Sequence, residues 1–224
     1  MIKAVVFDLD NTLIDFMKMK RISCEAAISA MIDAGLKMEK ETAYKKLFEL
    51  YSVHGIEDPR IFQRFLKKYA GAIDYRILSS AITSYRKVQV GFLEPYPKVR
   101  QTLIRLAQKG MKLAIVSDAP RLKAWMRLTE MGLSDFFDTV ITLGDSKKLK
   151  PHKRPFQLVL QKLKLSPQEI LFVGDNPERD IKGAKQAGMK TALAEYGRVF
   201  PKGNIEPDIY LQDISELLEV AELK

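Results

Sequence analysis

The sequence predicts an α/β protein, a parallel sheet with helices on both faces, carrying a small all-helical subdomain inserted after the first strand. Residues Ile2 to Leu9 form a nearly continuous apolar, β-branched run, as expected of a strand buried on both faces. The apolar period then lengthens to three and four residues until about residue 90. From Glu94 onward, short apolar runs alternate with helical patterns, which is how a parallel sheet covered by helices is built.

The insert reads as several amphipathic helices. Ile61, Phe62, Phe65, Leu66 and Tyr69 recur at helical spacing, as do Tyr75, Leu78, Ile82 and Tyr85. The expected division is a core of residues 1–14 and 91–224 interrupted by a helical subdomain at 15–90. After Glu94-Pro95-Tyr96-Pro97 a helix should run to Lys109 and stop at Gly110, with a strand from Lys112 to Val116 behind it. Further strands are expected at Thr139 to Thr142, Ile170 to Val173, Thr191 to Ala194 and Asp208 to Leu211. Ligands of open α/β sheets bind beyond the carboxyl ends of the strands, so the residues that follow each apolar run carry the functional information.

Composition narrows the chemistry. At 46 % hydrophobic and 29 % charged over 224 residues, the chain has an ordinary globular makeup. A lone cysteine, Cys24, excludes an internal disulfide and a multi-cysteine zinc site, and His54 and His152 are too few for a histidine cage. A metal should therefore be held by oxygen, which favours magnesium. No apolar stretch approaches the roughly 20 residues that cross a bilayer. The opening run reaches Asp8 too early for a secretory signal, so a cytoplasmic protein with no membrane partner is expected. The net charge of +9 suits anionic substrates or nucleic acid. Lys and Arg alternate with Glu along the helices, however, as in Glu39-Lys40-Glu41, the pattern of a solvated face, and no nucleic-acid partner is expected. Nothing in the sequence specifies an oligomeric state.

Four strand ends carry unusual polar residues. The first is Asp8-Leu9-Asp10-Asn11-Thr12, where strand alternation lets two carboxylates point the same way. Asp10 could instead cap a helix, but a calcium loop is excluded, because its sixth and twelfth positions hold Leu13 and Met19 rather than Gly and Glu. The second is Ser117-Asp118-Ala119-Pro120, a hydroxyl before a helix start, suited either to an anion or to capping. The third is the basic run Lys147 to Arg154, in which Pro151 and Pro155 restrict the backbone and could hold one lysine aimed at a fixed place. His152 within it is a possible base or simply exposed. The fourth is Gly174-Asp175-Asn176-Pro177-Glu178-Arg179-Asp180, a good turn sequence that also supplies two carboxylates. Four separate caps in this order would be a coincidence.

Taken together, these residues resemble the haloacid dehalogenase superfamily, and in particular its phosphatases with a helical cap after the first motif. Asp8-x-Asp10-x-Thr12 matches the first motif, Ser117 the second, Lys150-Pro151 the third, and Gly174-Asp175 with Asp180 the fourth. The resemblance covers essentially the whole chain and implies a Rossmann-like core. It implies that Asp8 is the nucleophile, Asp10 the general acid and base, and Lys150 the third catalytic group. Magnesium would be held by Asp8, the main-chain carbonyl of Asp10 and Asp175, with Asp180 in support. Asn11, Thr12, Ser117, Asp118 and Lys150 are the implied substrate-binding residues for a small phosphorylated metabolite. The chain departs from the pattern at Asp118-Ala119, where Asn or Gly is common, and at His152-Lys153, where Asp-Pro is common. In the insert, Arg21, Tyr44 and Arg86 are candidates for substrate selection, and equally for surface or packing roles.

The chemistry itself calls for such residues. A phosphate dianion repels an approaching carboxylate, so the site needs positive charge, and attack by Asp8 would divide hydrolysis into two steps. Carbon–halogen hydrolysis would leave Asp10, Asp175 and Asp180 without a task. A phosphomutase would pass the phosphoryl group to a sugar hydroxyl, and a binding module would lack turnover altogether.

Overall fold

The computed structural model describes residues 1–199, 201 and 203–220. The chain divides into two compact units, residues 1–17 with 93–224, and residues 18–92.

The first unit is built on six parallel strands: β1 (Ala4–Phe7), β2 (Lys112–Val116), β3 (Thr139–Ile141), β4 (Ile170–Gly174), β5 (Lys190–Ala194) and β6 (Ile209–Leu211). Their order is β3-β2-β1-β4-β5-β6, so every strand expected from the sequence is found and β1 lies in the middle. The order reverses at β1, with β2 on one side and β4 on the other, in registers Phe7↔Ile115 and Phe7↔Val173. Such a reversal opens a crevice at the carboxyl ends of the central strands. Ala4, Val5, Val6 and Phe7 are fully or almost fully buried, which is why the run lacks a polar alternation. One face of the sheet packs Val6, Val116 and Phe172 against Phe156, Val159 and Leu163. Burial of each such side chain contributes about 1.5–3 kcal/mol. Gly110 takes φ +74° just beyond the helix Val99–Gln108, in agreement with its expected role as a stop.

The second unit consists of helices. α1 (Phe16–Asp33) enters it, followed by α2 (Lys40–His54), α3 (Ile61–Tyr69) and α4 (Tyr75–Gly91). Glu39 and Asp74 cap α2 and α4 by accepting hydrogen bonds from the first free backbone N–H groups. The core joins Ala27, Ile28 and Met31 to Leu47, Leu50, Phe65, Leu66, Leu78 and Ala81. Tyr75 breaks from its expected stripe: as the first residue of α4 it is exposed, while Leu78 is buried. No helix among the described residues is long and apolar enough to cross a membrane.

Candidate active site

Four loops meet at the carboxyl ends of the central strands. Asp8 follows β1 directly, and its N–H donates to the Val173 carbonyl at 2.8 Å, continuing the pairing with β4 for one more residue. Lys150 arrives from the loop between the helices Leu143–Ser146 and Lys153–Leu163. Its ammonium stands 2.7 Å from Asp8 Oδ1 and 2.7 Å from Asp180 Oδ1, and donates to the Val116 carbonyl at 3.0 Å. These three partners come from β1, the loop after β4 and β2, so one side chain ties three segments together. The neighbouring Lys147, Lys148, Lys153 and Arg154 are exposed, and Lys150 alone of the basic run turns inward. His152 is exposed and caps the helix that follows, its Nδ1 accepting from the Arg154 N–H at 3.1 Å.

Asp175 and Asp180 flank this lysine. Gly174 leaves room for Asp180: a Cβ there would lie 2.5 Å from the Asp180 Cβ, so a side chain at that point would force one of the two to shift. Asp180 Oδ2 accepts from the Asn176 N–H at 3.0 Å, which locks the turn Pro177–Ile181. Both oxygens of Asp175 are buried and meet no donor among the described residues. Oxygens of Asp8, Asp175 and Asp180 lie within 4.8 Å of one another, all in buried side chains. One ammonium in contact with two carboxylates, and a third carboxylate beside them, crowd negative charge into a dry place, which is costly unless a further cation joins them. Burial pushes Asp8 up to about 7, against the pull of Lys150 and with Asp180 adding to the rise. Burial, then Asp180 and Asp8, push Asp175 up to about 9. Burial opposes the charge of Lys150, but Asp180 and Asp8 outweigh it and hold the ammonium above its ordinary range. An all-oxygen, buried, undersatisfied group of this kind fits a magnesium ion.

The remaining expected residues surround this cluster. Asn11 adopts φ +59°, turning the chain sharply after β1, and its Oδ1 accepts from the Met17 N–H at 3.0 Å. Thr12 Oγ1 is buried and meets no hydrogen-bond partner among the described residues. Ser117 follows β2, with Oγ accepting from the Ala119 N–H at 3.1 Å. Asp118 accepts the Lys150 N–H at 2.9 Å through one oxygen and faces Arg179 Nη1 at 3.4 Å through the other. β1 ends at Phe7, so no regular strand pleat runs through Asp8 and Asp10, although the Asp10 charge stands near enough to add to the rise of the Asp8 pKa. The carboxylate of Asp10 meets Arg127 instead, with Nη1 at 2.8 and 2.6 Å from its two oxygens. Its side chain is thus outside the three-carboxylate group, which still allows a ligand offered by its main-chain carbonyl. In the helical unit, Arg21 and Arg86 are exposed and Tyr44 packs on Phe48 with ring centroids 4.7 Å apart.

The description haloacid dehalogenase-like hydrolase matches residues 5–194. The chain belongs to that family. Relatives of this hydrolase include a glyceraldehyde 3-phosphate phosphatase of Methanocaldococcus jannaschii, 34 % identical over 98 % of this chain and 97 % of its own length. Pyrophosphatase PpaX of Bacillus cereus is 33 % identical over 98 % of this chain and 96 % of its own length. In fold it is similar to the hydrolase YfnB of Bacillus subtilis bound to magnesium, with a TM-score of 0.73, 21 % identity and 99 % of each chain covered. This hydrolase is an enzyme of the family's phosphatase branch.

Three residues of the hydrolase's site escape the sequence reading. Arg127 carries a signal that was available: with Ala124 and Leu128 it lies on the buried stripe of its helix, a position where an unpaired arginine is not expected. Arg179 sits beside Asp180 in a turn, where nothing in the local sequence separates it from a surface residue; burial opposes its charge, but Asp180, Asp8, Asp118 and Asp175 raise its pKa. Tyr196 donates from its hydroxyl to the Thr12 carbonyl at 2.8 Å, from a loop far along the chain.

Proposed function

We propose that this chain is a magnesium-dependent phosphatase that hydrolyses a small phosphorylated metabolite through an aspartyl-phosphate on Asp8. The observation that carries the reading is the buried ion-pair centre, Asp8–Lys150–Asp180, beside the partnerless oxygens of Asp175.

Asp8 offers its carboxylate to phosphorus at the end of β1. Lys150 keeps that carboxylate ionised and draws off charge from the phosphoryl oxygens as the leaving group departs. Ser117 and Thr12 present hydroxyls to the same oxygens, with Asn11 and Asp118 shaping the two loops. Asp10 gives a proton to the leaving oxygen and later takes one from water, so the phosphoryl group passes first to Asp8 and then to water. Magnesium, held by Asp8, Asp175 and the Asp10 carbonyl with Asp180 in support, would offset the negative charge of the phosphate.

The relatives named for glyceraldehyde 3-phosphate and pyrophosphate support placing a triose phosphate first and pyrophosphate second in a substrate panel. The decisive experiment follows phosphate release from p-nitrophenyl phosphate and that panel, with magnesium and with chelator. Magnesium-dependent release is expected. No release from any compound by folded protein would overturn the reading, and transfer of label to a sugar phosphate would replace it with a mutase.

A further inference from the structure

We infer that Arg127 positions Asp10 for proton transfer. The inference rests on the phosphatase reading, in which Asp10 is the acid and base. Arg127 lies on the helix Arg121–Glu130, and only 5 % of its side chain is exposed. Burying a guanidinium is unfavourable unless its donors are matched. Here the charge lies against an aromatic face and donates to a carboxylate. Its Cζ lies 4.4 Å from the centroid of the Phe16 ring, and Nη1 reaches both oxygens of Asp10. Stacking over an aromatic ring fixes the plane of a guanidinium and thereby the directions of its N–H groups.

Asp10 itself is different, with 22 % of its side chain exposed. The acceptor is open to a substrate while the arginine behind it is not. Arg127 therefore acts through Asp10 and touches no reacting atom. The main chain on which Asp10 rides is fixed as well, by the Asn11 N–H to the Ile14 carbonyl at 2.7 Å and by the Met17 N–H to Asn11 Oδ1. Backbone and carboxylate are thus held from separate sides, as a group that must meet a proton within a few tenths of an ångström requires. A buried ion pair is weak support for stability alone, so the arrangement calls for a further role.

The test compares kcat/KM over aryl and alkyl phosphates, because a nitrophenolate leaves without an acid and an alkoxide does not. Wild type, Arg127→Met, Arg127→Lys, Asp10→Asn and the double variant Asp10→Asn with Arg127→Met are assayed together. Arg127→Met should lose about 100-fold on alkyl phosphates and less than about 3-fold on p-nitrophenyl phosphate. Arg127→Lys should recover part of the loss, and it carries the same comparison should the methionine variant not fold. The double variant should be no slower than Asp10→Asn. Equal losses on all leaving groups, or losses that multiply in the double variant, would overturn the inference while leaving an active wild type as a phosphatase. A wild type inactive on every ester would remove both.

Discussion

Lys150 Nζ lies 2.7 Å from Asp8 Oδ1, with 1 % and 5 % of the two side chains exposed. A pair this dry depends on each member for its ionised state. Replacing Lys150 with Met should destabilise the chain by about 3–5 kcal/mol at pH 8, where the carboxylates must otherwise ionise. The loss should shrink toward pH 6 as protons take the place of the ammonium. Turnover should fall at least about 100-fold at either pH. Urea melts and phosphate release at the two pH values check this, and an active, equally stable variant would contradict the pairing.

Asp8→Asn keeps the shape of the side chain and removes the carboxylate proposed to attack phosphorus. The variant should fold, with a melting temperature close to that of wild type, and should show no turnover. Quenched reactions with 32P-labelled substrate should yield an acid-stable, hydroxylamine-sensitive label on wild type and none on the variant. Appreciable activity from the folded variant would sink the assignment.

The raised carboxyls make stability depend on pH in a particular direction. Asp8 and Asp175 stand at about 7 and about 9 in the folded chain, whereas unfolded carboxyls titrate near 4. Between those limits the folded chain holds more protons than the unfolded one, so stability must fall as pH rises. Lys150 remains charged throughout and adds no slope. In chelator, the unfolding free energy should therefore decline from about pH 5 to about pH 9. Magnesium should restore it, by about 2.7 kcal/mol at a hundred times its dissociation constant. A flat profile in chelator, or no response to magnesium, would count against the buried carboxylate group.

Gly174→Ala inserts a methyl 2.5 Å from the Asp180 Cβ. One of the two must move, at a cost of about 1–3 kcal/mol, and Asp180 is the member that faces Lys150. Activity should fall further than stability does. Thermal melts beside steady-state rates distinguish this from simple unfolding, and a variant with unchanged rates would show that the turn adapts.

Much of this molecule is legible in its sequence because the relevant physics is local. The Ile2 to Leu9 run announces a strand buried on both faces, and Ile61, Phe62, Phe65 and Leu66 announce one face of a helix. Lys150 stands out from a basic run only through the prolines that follow it, Pro151 and Pro155. What depends on neighbours distant in sequence is hidden. Asp10 and Arg127 are brought together by the path of the chain after β1, where Asn11 turns it at φ +59°, and no periodicity encodes that turn. The bond from Tyr196 to Thr12 is hidden for the same reason. Tyr75 shows the opposite error, a residue with the right spacing at a helix end that has nothing to pack on.

The central place of β1 also has a consequence in time. Of the six strands it is the first to be synthesised, yet the strands that flank it, β2 and β4, come far later in the chain. At roughly 5–20 residues per second, Asp8 waits many seconds for Lys150, and longer for the Val173 carbonyl that receives its N–H. Until then Asp8 lacks the ammonium that pairs with it in the finished fold. The ion-pair centre can assemble only after the loop that carries Lys150 and then β4 have both been made.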